Sequence, residues 1–213
     1  LEEVDQPIRR VRIECGACGP VFGELRITGR GEGITVLTQL RMYPSLDRID
    51  FFNLVHKAPT TQKEQLHFFF PADLPGCRYR YEAPGAIIVP GETGRGGEQL
   101  PGSGQAYTAV RHCADMFNDF AGITVSQADA GLFLFGHRTE KEDPVEPDRS
   151  SPTLISLALG NAVNYAEVTR DQGGGDRFLF RYSLRVYRRY DPAASIRFAW
   201  EDNNPPIVKP LSR

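Results

Sequence analysis

The sequence predicts an all-β protein, a sandwich or barrel of mostly antiparallel strands, and three observations carry that prediction. Apolar and polar residues alternate with period two through most readable segments, the pattern of a pleated strand with one buried face. Glycine (21) and proline (16) together fill 37 of 213 positions, more than the ~12% of an average chain. Turns are therefore frequent and long helices are not expected. The strand–helix–strand rhythm of a parallel sheet is not visible. The length suits a single domain over 1–213, because β-sandwiches routinely fill that span.

Along the chain, Gly16 and Gly19-Pro20 give the first turn signals, and Gly29 to Gly33 the next. Ile34, Val36, Leu40 and Met42 alternate over 34–42, and Leu66, Phe68 and Phe70 over 66–70. Turns follow at Pro75-Gly76, Pro84-Gly85 and Pro90-Gly91. Residues 91–105 hold six glycines and little apolar content, which predicts an exposed loop. Residues 105–120 allow two readings. Val110, Ala114 and Phe117 recur at helical spacing, while Tyr107 to Arg111 alternates; a strand running into an irregular turn is preferred. Thr139 to Pro152 carries Glu140, Glu142, Asp143, Glu146 and Asp148 with three prolines, so it cannot bury a face and reads as an acidic loop at 139–152. Residues 177–189 alternate most clearly. Phe178, Phe180, Tyr182, Leu184 and Val186 fall on one side, and Arg177, Arg181, Ser183, Arg185, Tyr187 and Arg189 on the other. A fainter alternation, Ile196, Phe198 and Trp200, predicts a last strand at 196–200.

Charge and composition exclude several classes of function. Twenty-one arginines and four lysines balance 27 acids to a net charge of −2, which is not the footprint of a nucleic-acid or membrane-surface binder. No apolar run approaches the ~18 residues of a membrane span. The chain opens at Leu1 without a targeting segment, and the expectation is a processed protein or a piece cut from a longer one, in the cytoplasm.

The residues that could carry chemistry are few. Cys15-Gly16-Ala17-Cys18 has the spacing of half a zinc knuckle, but a second thiolate pair is missing. Small side chains flanking a Gly-Pro hairpin are the preferred reading, with a metal or redox role as the alternative. Four cysteines in this length form no disulfide framework and suit a reducing compartment. Pro101-Gly102-Ser103-Gly104 lacks the pattern of a nucleophile elbow, and the glycines after Gly91 lack the Lys-Ser/Thr of a phosphate cradle. The arginines at 177, 181, 185 and 189 recur at four-residue steps, with neighbours about 13 Å apart along a strand. A solvated sheet face paired with nearby acids explains them better than a polyanion site. Paired carboxylates for glycoside hydrolysis cannot be recognised from spacing in a β protein.

Several blocks taken in order carry a resemblance. Leu46-Asp47-Arg48-Ile49-Asp50-Phe51-Phe52-Asn53, then Lys63-Glu64-Gln65-Leu66-His67-Phe68-Phe69-Phe70-Pro71, resembles the "R-I-D-F … K-E-x-x-x-F-x-F-P" segment in the C-terminal β-sandwich part of glycoside hydrolase family 38, the α-mannosidases. Ile13-Glu14 to Gly19-Pro20-Val21 is similar to that family's strand, hairpin and second strand. Tyr81-Glu82-Ala83-Pro84-Gly85 is similar to its "Y-E-x-P-x-G" turn. Ala121 to Ser126, then Asn164-Tyr165, Asp171-Gln172-Gly173-Gly174 and Phe180 to Leu184, follow in the family's order. Ala166 and Thr169 depart from the Trp and Asn usual there, and His56 stands where an acid is commoner. None of the four histidines begins the "H-x-D" pair through which the family binds zinc.

The resemblance implies a two-sheet supersandwich of galactose-mutarotase type. It implies an accessory region that helps shape the mannoside site of a full enzyme, with no catalytic residue, metal or cofactor of its own. Zinc and the nucleophile would belong to an N-terminal catalytic domain of the same polypeptide, its expected partner, in a bacterial cytoplasmic enzyme. The isolated chain would be inactive. Tyr81, Tyr107, Asn164, Tyr165, Asp171 and Gln172 are the candidates for sugar contact, the tyrosines as stacking platforms near turns. The rival readings are a stand-alone carbohydrate-binding module and a purely structural packing domain, whose mark would be a large apolar patch.

Overall fold

The structure, a computed structural model, describes residues 7–91, 99, 107–137, 149–163, 167–168 and 176–208. Its strands are β1 (Arg9–Cys18), β2 (Gly23–Gly31), β3 (Ile34–Tyr43), β4 (Leu46–Lys57), β5 (Gln65–Pro71), β6 (Arg78–Ala83), β7 (Ala86–Ile88), β8 (Thr108–Ala109), β9 (Cys113–Phe117), β10 (Gly122–Gln127), β11 (Leu132–Phe135), β12 (Thr153–Gly160), β13 (Ala162–Val163), β14 (Glu167–Val168) and β15 (Arg177–Tyr187). One helix, α1, spans Pro192–Asn203.

Nine strands form a sheet in the order β1-β2-β3-β4-β15-β10-β9-β6-β7, and four form a second in the order β5-β12-β11-β8. All pairings are antiparallel. The expected two-sheet, all-β architecture is therefore present. The first four strands form a meander whose turns fall at Gly19-Pro20, Gly33 and Pro44-Ser45. Gly19 N–H bonds to Phe22 O at 3.0 Å, closing the first. Gly33 has φ +65°, which only glycine adopts without strain.

Aromatic rings from both sheets fill the space between them. Phe70 meets Phe51 and Tyr182 at centroid distances of 6.0 and 5.1 Å, Phe68 meets Tyr182 at 5.5 Å, and Phe135 meets Tyr79 at 5.3 Å. The alternation at 66–70 works as predicted, with Phe70 buried and Phe69 54% exposed. The described residues 107–120 also take the strand reading over the helical one, with β8 followed by a second strand, β9, where only an irregular turn was expected.

Two expectations need correction. Residues 196–200 form no strand but the middle of α1. Asp191 caps that helix by accepting from Ala193 N–H at 2.9 Å, and Pro192 occupies its first turn. Five residues of apparent alternation were too few to reveal the 3.6-residue period that buries Ser195, Phe198 and Ala199. In β15 the alternation holds through Tyr182 and then inverts: Val186 is 59% exposed and Tyr187 is buried. The cause is layering. The smaller sheet covers the inner face only part-way along β15, while α1 covers the outer face beyond it. Strands β9 and β10, covered on both sides, are buried at nearly every position.

The inner face also stays open at β1 to β3. Val36 is buried, but Met42 on the same face is 44% exposed, and Ile13, across from Ile27, is 63% exposed. No described strand lies over them.

Candidate functional site

Helix α1 lies on the outer face of the large sheet, across β9 and β10, and three buried carboxylates sit beneath or beside it: Asp50, Glu82 and Asp115. Asp115 is the deepest. Thr124 Oγ1 and Ser195 Oγ approach its Oδ1 at 2.7 and 2.6 Å, and Tyr190 donates its hydroxyl to Oδ2 at 2.5 Å. Burial raises the Asp115 carboxyl above its ordinary value, outweighing the hydroxyl donors from Ser195, Tyr190 and Thr124 that favour the charged form. The neighbouring Cys113 thiol is likewise pushed up by burial.

Asp50 belongs to a network around Arg48. Arg48 Nε donates to Asp50 Oδ1 at 2.7 Å and its Nη2 to Asp202 Oδ1, on α1, at 2.6 Å. Ser183 Oγ lies 2.7 Å from Asp50 and 2.9 Å from Asp202. The Tyr43 hydroxyl donates to Asp50 Oδ2, and burial followed by that bond pushes Tyr43 up to about 12. This network ties helix to sheet. Its alternation explains the Arg48-Ile49-Asp50-Phe51 block: Arg48 and Asp50 face the helix while Phe51 faces the core.

The third carboxylate is arranged differently. Glu82 Oε1 accepts from Trp200 Nε1–H at 3.1 Å, and His112 Nδ1 lies 3.0 Å from Oε2. The imidazole and indole meet edge to face at 6.0 Å. Arg111 N–H bonds to Glu82 O at 2.7 Å, fixing the two chain segments together. Glu82 is buried, His112 is mostly so, and Trp200 is 49% exposed. A hydrogen-bonded, half-exposed indole makes this a candidate for recognition, not for bond cleavage. Asp115 and Asp50 have their oxygens occupied by internal donors. Among the described residues, no group of three or more His, Cys, Asp or Glu could hold a metal ion.

The sequence candidates fare unevenly. Tyr81 is a core residue, 6% exposed, with its ring stacked on Phe135 at 5.8 Å, so it cannot serve as a platform. Tyr107 is partly buried, and its hydroxyl donates to Gln65 Oε1 at 3.3 Å. Asn164, Tyr165, Asp171 and Gln172 lie outside the described residues, as do Ser103 and residues 139–148. Arg181 makes two bonds to Asp129, at 2.9 and 2.8 Å, as a solvated, paired face requires. Arg185 instead lies over the Tyr187 ring at 5.1 Å, and Arg189 falls beyond the strand. Cys15 and Cys18 flank the Gly-Pro hairpin and are exposed. The sequence does not reveal the Glu82, His112 and Trp200 cluster, because alternation puts Trp200 on a strand; the Asp191-Pro192 cap is the signal that puts it on a helix.

No family model matches the chain, and no curated protein does either. Solved structures do. The chain is similar to an α-mannosidase from Enterococcus faecalis V583, with 10% identity and a TM-score of 0.67, covering 91% of this chain and 24% of that one. A protein in glycosyl hydrolase family 38 from Enterococcus faecalis matches with 10% identity and a TM-score of 0.64 over the same shares. The chain thus spans about a quarter of the length of these enzymes. It has the fold of that quarter.

Proposed function

We propose that this chain is the accessory β-sandwich domain of an α-mannosidase-like glycoside hydrolase, one unit over 1–213 that helps shape the carbohydrate site of the complete polypeptide. The observation that carries this reading is the match of nearly the whole chain to one quarter of an α-mannosidase. The apolar inner face left open at β1 to β3 supports it, because an exposed apolar patch marks a surface that another body covers. On this reading the remainder of the polypeptide holds the zinc and the nucleophile, and it acts on mannosides with retention through a covalent glycosyl-enzyme. The free cysteines Cys15, Cys18, Cys77 and Cys113 suit the reducing, cytoplasmic setting of a bacterial enzyme. Among the described residues no helix is long and apolar enough to cross a membrane.

An aryl α-mannoside assay tests the reading. The isolated chain is expected to release no product with or without zinc, and the polypeptide encoded by the full reading frame is expected to release it. Turnover by the isolated chain, or an inactive full polypeptide that binds no mannoside, would overturn the assignment.

A further inference from the structure

We propose that Trp200, set by Glu82 and His112, forms a pyranose-binding subsite on the outer face of the sandwich. The candidate role requires three things of an aromatic side chain, and Trp200 meets each. Its ring must be accessible, and it is 49% exposed on a helix otherwise anchored by buried Ser195, Phe198 and Ala199. The ring must be held before ligand arrives, since an immobilised side chain does not lose its rotamer freedom on binding. The 3.1 Å bond from Nε1 to Glu82 and the edge contact with His112 do this. Finally, the ring must sit beside groups that pair with hydroxyls. The His112 imidazole, 3.0 Å from Glu82 and against the indole, supplies that polar edge, with exposed Arg111 next to it in the chain.

The chemistry of the ligand follows from the same contacts. A pyranose offers a C–H face to an indole and a rim of hydroxyls to its polar edge. A cation is disfavoured, because the buried Glu82 carboxylate already pairs with the indole N–H and the imidazole Nδ1. A polyanion is disfavoured by the buried carboxylate at the centre of the cluster. The subsite rests on the proposed function only for the choice of mannose as the sugar to test.

Trp200 is the only tryptophan in the chain, so its single indole N–H resonance and its fluorescence report on this position alone. Titrating the 213-residue chain with α-linked mannotriose, to about 50 mM to cover weak millimolar binding, is expected to shift the indole signal saturably. Trp200→Phe, which keeps a ring but loses the bond to Glu82, should weaken binding by about tenfold, read from shifts of the backbone amides of Arg111 and His112. Trp200→Ala should abolish it, and His112→Ala should weaken it severalfold. An unmoved indole signal at the highest concentration, or an equal shift with glycerol at matched concentration, would overturn the subsite. If the full polypeptide hydrolyses mannosides while the indole stays silent, the subsite fails and the accessory-domain reading stands. If the indole responds and the full polypeptide is neither active nor mannoside-binding, that reading fails and the subsite stands.

Discussion

Single residues in this protein show how a charged group can sit inside a sheet protein. Glu24 is buried on the outer face, where Arg41 and Arg26 donate to its two oxygens at 2.9 and 2.8 Å. Those bonds, Arg41 first, hold its carboxyl below the ordinary range. Arg41 is itself layered between Phe22 and Phe52, 4.9 and 4.7 Å from the ring centres. Gly16 completes the arrangement, because a Cβ there would stand 2.5 Å from the Glu24 carboxylate. The central glycine of the Cys15 to Cys18 motif thus serves an ion pair. Because the folded pKa of Glu24 is depressed, its contribution is present above the ordinary carboxylate pKa and is lost as pH falls through and below it. Glu24→Gln should lower stability at pH 7 by about 1–3 kcal/mol and reduce the loss between neutral pH and pH 3, as measured by urea unfolding. Asp115 has the opposite sign. Its folded pKa is raised, so the native state keeps a proton that the unfolded chain releases, and stability falls as pH rises above the ordinary Asp value. Asp115→Asn should flatten that decline in melts from pH 4 to 8, whereas Asp115→Ala leaves three hydroxyls without their acceptor and should cost about 2–4 kcal/mol.

Among the elements, α1 decides most. It joins three carboxylates on three strands through Ser195, Trp200 and Asp202, and Asn203 Nδ2 adds a bond to Ser126 at 2.9 Å. Its apolar anchor is small, essentially Phe198 and Ala199. Phe198→Ala should therefore cost about 3–4 kcal/mol, and Asp191→Ala, which removes the cap, about 1 kcal/mol; chemical denaturation distinguishes the two. The helix also explains why β15 was only half legible. Periodicity tells which residues share a face, but it cannot tell which face is covered. Alternation sets Ser183 and Tyr187 with the arginines on a solvated side, yet both are buried, Ser183 bonded to Asp202 of the helix and Tyr187 against the Tyr190 ring.

At the scale of the whole molecule, the two sheets differ in extent, nine strands against four, and the excess leaves the inner face of β1 to β3 without a described cover. Ile13 and Met42 on that face are each 44% exposed or more. An isolated chain carrying such a surface should self-associate with rising concentration in sedimentation experiments. The double substitution Ile13→Lys with Met42→Lys should suppress that association while changing stability by less than about 0.5 kcal/mol per site, as expected for exposed positions.

Period-two alternation, dense turn residues and the ordered blocks from Ile13 to Leu184 determined the all-β class, the hairpin at Gly19-Pro20, the core strands at 66–70 and 177–182, and the likeness to the α-mannosidase sandwich. These are local properties, set by the pleat and by backbone dihedrals within a few residues. The tertiary structure alone decided which carboxylates became buried, that Tyr81 was spent in the core, and that Glu82, His112 and Trp200 meet. Those facts depend on contacts between segments 118 residues apart in the Trp200 to Glu82 bond and 154 apart in the Arg48 to Asp202 bond. No sequence period reaches that far; the path of the last helix across the sheet brings them together.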